Sequence, residues 1–291
     1  MRAVRWFNRH LWIFPAWALM IAAALLVFCA CPLLRWVGWP YGMYLPWLLR
    51  EVAACVLVGV CIGALWGLGV RLRIRLAGWE IARETARMAK TCDPEPLLLV
   101  CRELQALWLD ELRPKLMMAV QLGMAEAAGR LGRVQEAEQE LDRLLPVYEQ
   151  YRPAARLTLE LCAATVRLWA RRPEDARSFL TEAERHLGQM TGSAASLASL
   201  RAALEDRKRL YRLVTEGGSE ELLAEYQQAL AGAEKDSLLN QTAAHMNVAR
   251  CLLDLGRLEE ARPHLEFVAA RGNKLAIRTE AEDRLAALTA D

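Results

Sequence analysis

The chain is poor in the residues and patterns that usually announce chemistry. It has four histidines in 291 residues, at 10, 186, 245 and 264, and no two stand at the spacing of a metal-binding helix. No Gly-rich phosphate loop and no Gly-x-Ser-x-Gly occurs. Eight cysteines are present but no Cys-x2-Cys pair, which argues against a zinc knuckle or a disulfide framework and for free thiols in a reducing compartment. β-Branched runs are missing, so strands are not expected. Excess charge of one sign is missing too. Behind residue 70 stand 32 basic and 34 acidic residues, and that balance gives no footprint for nucleic acid. The abundant carboxylates recur beside arginines at helical spacing, as in Glu84-Arg87 and Glu259-Arg262, which is the pattern of solvated helix faces. These absences point away from an enzyme and from a bound cofactor or metal.

Two absences of charge are informative in the other direction. Residues 11–34 and 52–70 contain no charged side chain. A hydrocarbon core about 30 Å thick is crossed by roughly 20 helical residues, so each run is long enough to span a membrane. Arg2, Arg5 and Arg9 precede the first run, and Arg71, Arg73 and Arg75 follow the second, whereas the connection carries only Arg35 and, at its edge, Arg50. Lys/Arg excess marks the cytoplasmic side, so both termini are expected inside. Trp36, Trp39, Tyr41, Tyr44 and Trp47 place the connection at the headgroup level. The same three arginines are candidates for contact with anionic headgroups. In the second run Gly59, Gly63 and Gly67 recur every four residues and form one small-residue helix face. That face suits close packing on the first span or on a second copy of the chain.

The remainder is rich in Ala, Leu, Arg and Glu and reads as helix throughout, with helices expected near 77–91, 96–112, 134–147 and 274–289. Two distant segments share one pattern. Ala125, Gly132, Ala137 and Leu141 have the same offsets as Ala249, Gly256, Ala261 and Leu265. Ala164, Ala176 and Leu180 form a weaker third copy without the glycine. A small residue, a tight turn, then a small residue and a Leu describe two helices packed as a hairpin. This resembles the tetratricopeptide (TPR) repeat, with a period nearer 39 residues than 34. The aromatic usual in the first helix is replaced by Gln121 and His245, and the proline near the repeat end is missing.

The apolar runs and the resemblance together imply an all-α protein: a two-helix transmembrane hairpin over 1–76, then a TPR-like α-solenoid over 77–291 of about five helix pairs plus a terminal helix. The resemblance also implies a concave surface that takes protein partners, lined by Gln121, Leu122 and Glu126, by Leu161, Thr165 and Leu168, and by Met246, Asn247 and Arg250. The expected role is a scaffold or adaptor that recruits proteins at the cytoplasmic face of a bacterial inner membrane, its lipid contact made by the spans. A structural subunit assembling, even as a homo-oligomer, through the glycine face is the alternative. A membrane enzyme with an unrecognised site is the second.

Overall fold

The computed structural model describes residues 44–108, 114–233 and 237–290. Among them every regular element is helical: α1 (Tyr44–Thr91), α2 (Glu95–Trp108), α3 (Pro114–Arg130), α4 (Val134–Asp142), a 3-10 turn (Leu145–Gln150), α5 (Pro153–Trp169), α6 (Pro173–Gln189), α7 (Ala194–Glu216), α8 (Glu220–Ala233), α9 (Leu238–Asp254), α10 (Leu258–Arg271) and α11 (Ala276–Ala290). Two compact units divide the chain, Met1–Glu80 and Ile81–Asp291. The first apolar run, 11–34, lies outside the described residues.

The sequence pattern predicts a break between a second span and a helix at 77–91, but α1 is continuous from Tyr44 to Thr91. Nothing between residues 71 and 91 stops a helix, since Gly78 stands alone and no proline occurs. The charge-free run 52–70 lies inside α1. Among the described residues, however, no helix is long and apolar enough to cross a membrane. The transmembrane hairpin is therefore an expectation carried by the sequence, not a feature of the described residues.

In the larger unit the predicted hairpins form. Helices α3 and α4, α5 and α6, and α9 and α10 pack as antiparallel pairs; α3 packs on α5, and α5 on α7. Ala125, Ala137, Ala164, Ala176, Ala249 and Ala261 are all fully buried, at 0 % exposure, and Leu141, Leu180 and Leu265 are buried beside them. A methyl group at each crossing lets two backbones approach to the short end of helix packing distances. Gly129 does the same between α3 and α5, where a Cβ would stand 2.3 Å from the Trp169 ring.

All three turns close by one hydrogen-bond pattern. Arg133 N donates to Ala128 O and Gly132 N to Gly129 O; Arg172 N donates to Arg167 O and Arg171 N to Leu168 O; Arg257 N donates to Leu252 O and Gly256 N to Leu253 O. This is the Schellman closure, which needs a left-handed residue at its apex. Gly132 (φ +78°) and Gly256 (φ +73°) supply it, and in the weaker copy Arg171 adopts φ +57°.

The described helices end a little differently from the predicted ones. Helix α2 is described to Trp108 rather than 112, and α4 stops at Asp142, five residues early. Pro146 explains the second case, because its preceding residues cannot continue an α-helix comfortably and the chain tightens into the 3-10 turn. The last loop folds back to the first turn of the unit. Asn273 Nδ2 donates to Thr91 O at 2.8 Å, and Lys274 N to Cys92 O at 3.3 Å. Lys274 Nζ pairs with Glu95 and, at 3.4 Å, with Asp93. The array thus closes on itself at 91–95 and 272–275.

Candidate functional site

Most polar groups that the repeat resemblance places on a concave surface are occupied within the array. Gln121 is buried with its side-chain carbonyl oxygen unpaired. Glu126 accepts from both Nε and Nη2 of Arg130, at 3.1 and 3.0 Å. Thr165 is buried and donates to Leu161 O of its own helix at 2.7 Å. Arg250 makes a bidentate pair with Glu280 of α11 at 3.1 and 2.5 Å. Asn247 is half-buried. Leu161, Leu168 and Met246 are core residues, Met246 packing with Leu265, Val268 and Ala281.

In α1, a Cβ added at Gly59, Gly63 or Gly67 meets nothing within 4 Å, so among the described residues the glycine face is open. Arg71 and Arg75 are exposed and Arg73 is half-buried. Cys92, Cys101 and Cys251 are buried free thiols, and burial pushes Cys251 up to about 11 and Cys101 to about 12. They have the character of core residues rather than nucleophiles.

Two side-chain groupings were not legible as sites. The first lies at the start of α5 and the end of α6, where a cleft of about 690 Å³ is lined by Arg152, Arg156, Arg185, His186, Met190 and Thr191 among others. Behind it Glu160, 1 % exposed, accepts from His186 Nδ1 at 2.7 Å and from the Tyr148 hydroxyl. Burial, then the hydrogen bond to Glu160, raises the Tyr148 pKa, so the phenol stays a donor. Arg185 Nη2 lies 2.8 Å from His186 Nε2 and also pairs with Glu182 at 2.6 Å. Arg156 is held by Tyr151 O at 2.9 Å and by the Glu149 carboxylate at 3.0 Å. In this network Glu160 Oε2 and the Tyr151 hydroxyl are buried without a hydrogen-bond partner.

The second grouping joins α9 to α10. His245 Nδ1 and His264 Nδ1 are 2.9 Å apart, their ring centroids 5.0 Å apart, and Phe267 stacks on His245 at 3.9 Å. Burial, and then the neighbouring His264, holds His245 down at about 4, and burial lowers His264 as well. Both rings are neutral near pH 7. Nineteen residues separate them, so no helix-spacing rule finds the pair. The hairpin register does. Ala249 faces Ala261 across the Gly256 turn, and one helical turn farther from it the facing positions are 245 and 264.

Compared with family models, with curated proteins and with solved structures, the chain matches none of them.

Proposed function

We propose that this chain is a membrane-anchored scaffold of TPR-like helical hairpins that organises protein partners at the cytoplasmic face of a bacterial inner membrane. The observation that carries the reading is the repeated hairpin: three copies of one turn and one buried alanine pair, stacked in a single unit. Such arrays present extended surfaces assembled from successive repeats, and protein recognition is the use their geometry suits best. Anchoring rests on the charge-free runs 11–34 and 52–70 and on Arg71, Arg73 and Arg75 behind the second.

A second reading, a fixed structural subunit, is favoured by one observation, the face of Gly59, Gly63 and Gly67, which is open among the described residues. Glycines four apart let another transmembrane backbone approach closely.

Topology and partner dependence test the proposal together. In intact cells an impermeant thiol reagent should label the full chain carrying Gly42→Cys and spare the one carrying Gly188→Cys, an exposed position in the array with open space around it. The reverse labelling overturns cytoplasmic placement. Soluble proteins recovered with the full chain from detergent extracts should fall when Glu126→Arg and Asn247→Arg are introduced together. If recovery is unchanged by that pair but lost in Gly63→Leu, the subunit reading replaces the scaffold.

A further inference from the structure

We propose that His245 and His264 form a binding site for a divalent first-row transition-metal ion of borderline softness, Zn(II), Ni(II) or Cu(II), held through their two Nδ1 atoms. The inference is independent of the scaffold reading and rests on the geometry of one hairpin.

The sequence builds the approach. Ala249 and Ala261, each at 0 % exposure, bring α9 and α10 together beside the Gly256 turn. One turn farther along, the seam holds two imidazoles in place of apolar side chains. Their Nδ1 atoms point at each other across 2.9 Å. Phe267, three residues beyond His264 on the same helix, lies nearly parallel to the His245 ring at 22° and fixes its plane. Two neutral imidazoles at this distance share one proton, one ring donating and the other accepting.

A metal ion replaces that proton with better use of both rings, because each Nδ1 then contributes a lone pair. Zn–N bonds run about 2.0–2.1 Å, so at a tetrahedral angle the two nitrogens stand about 3.3 Å apart. The rings need to part by only a few tenths of an ångström. The proton that leaves one Nδ1 is balanced by one taken up at Nε2 of the same ring, and both imidazoles remain neutral ligands. Burial already disfavours the competing imidazolium forms. Among the described residues no third His, Cys, Asp or Glu joins the pair, so water fills the remaining positions. Such a site is exchangeable rather than structural. Imidazole donors select this class of ion over Mg(II) or Ca(II), and Cu(II) is expected to bind most tightly.

The test uses the full chain in detergent micelles, stripped with chelator, and Zn(II) titrated against a chromophoric competitor. Affinity should fall at least tenfold in His245→Gln and in His264→Gln, and should be unchanged in His10→Gln. Far-UV circular dichroism of the same samples checks that the helices persist. Ring ¹⁵N spectra of the unsubstituted chain give a readout that no variant can confound: Zn(II) should move the Nδ1 resonances of His245 and His264. Affinity in either seam variant unchanged from that of the unsubstituted chain, an equal loss in His10→Gln, or unmoved Nδ1 resonances overturns the proposal.

Discussion

The α5–α6 and α9–α10 hairpins are built on one plan and differ most in one layer. Both turn through the same pair of backbone hydrogen bonds, and both close on two fully buried alanines. Both then place a polar residue one helical turn ahead of the first alanine, Glu160 in one and His245 in the other. Glu160 bears a carboxyl group, is deeply buried, and collects Tyr148 from the 3-10 turn and His186 from α6. His245 is neutral, half-buried, and meets one imidazole. The small-residue seam fixes how two helices meet, and chemistry varies in the next layer, where side chains are long enough to choose partners.

Removing the polar residue should separate the two hairpins most. Glu160→Ala removes the acceptor shared by the Tyr148 hydroxyl and His186 Nδ1, which keep only their mutual contact at 3.3 Å, and should cost about 2 kcal/mol, by denaturant unfolding of the full chain followed by far-UV circular dichroism. His245→Ala removes a neutral, partly solvated group and should cost about 1 kcal/mol. Equal costs would show that the two layers do not differ energetically.

The shared seam is the next place to press. Ala176→Leu and Ala261→Leu each force a larger side chain into a fully buried crossing and should each cost about 2 kcal/mol. Ala287→Leu, on an exposed face of α11, should leave the thermal midpoint unchanged within error. A seam substitution as harmless as Ala287→Leu would break the claim that alanines set both hairpins.

These seams were the most legible part of the chain. Period and offset alone identify Ala125, Ala137, Ala249 and Ala261, because a buried small residue opposite another leaves a spacing that survives in one dimension. The turn glycines were legible for the same reason, since positive φ restricts the residue type. Helix ends were less so. The α4 end depends on Pro146 tightening the chain before it, and the continuity of α1 on the weakness of a lone glycine as a stop signal. The polar layer was not legible as a site, because its partners come from other elements. His186 lies 26 residues from Glu160 and His264 lies 19 from His245, separations that mean nothing until the hairpin register is known. The return of Lys274 to Asp93 and Glu95 was hidden likewise, being a contact between the two ends of the array.

A smaller effect lies at the outer side of the α9–α10 hairpin, where Glu280 of α11 pairs with Arg250 of α9. Burial pushes the Glu280 carboxyl up, but Arg250 and Arg284 outweigh it and hold the pKa below the ordinary value. A carboxylate held lower in the folded chain than in the unfolded chain adds stability that is complete above the unfolded pKa, near 4.3, and is lost as pH falls through the folded value. With screening at this partly exposed pair the contribution is about 1 kcal/mol. Glu280→Gln should therefore lower the thermal midpoint at pH 7 and draw level with the unsubstituted chain at about pH 3. A deficit that persists unchanged into acid would mean that Glu280 acts through packing, not charge.

The turn apex gives the finest comparison. Gly256 occupies its left-handed position with open space around it, so Gly256→Ala tests backbone strain alone and should cost about 1 kcal/mol. Gly132→Ala should cost more, because the new methyl would stand 3.1 Å from Ala276 Cβ. Arg171 already bears that strain, exposed and at φ +57°. Arg171→Gly relieves about 1 kcal/mol or slightly more of left-handed strain, while the freer glycine in the unfolded chain returns about half of it. The net gain should be about 0.5 kcal/mol, visible as a thermal midpoint raised by a degree or two in the full chain. A midpoint that falls would show that the Arg171 side chain holds the α5–α6 turn through contacts of its own, and the three turns would then share a backbone path without sharing its energetics.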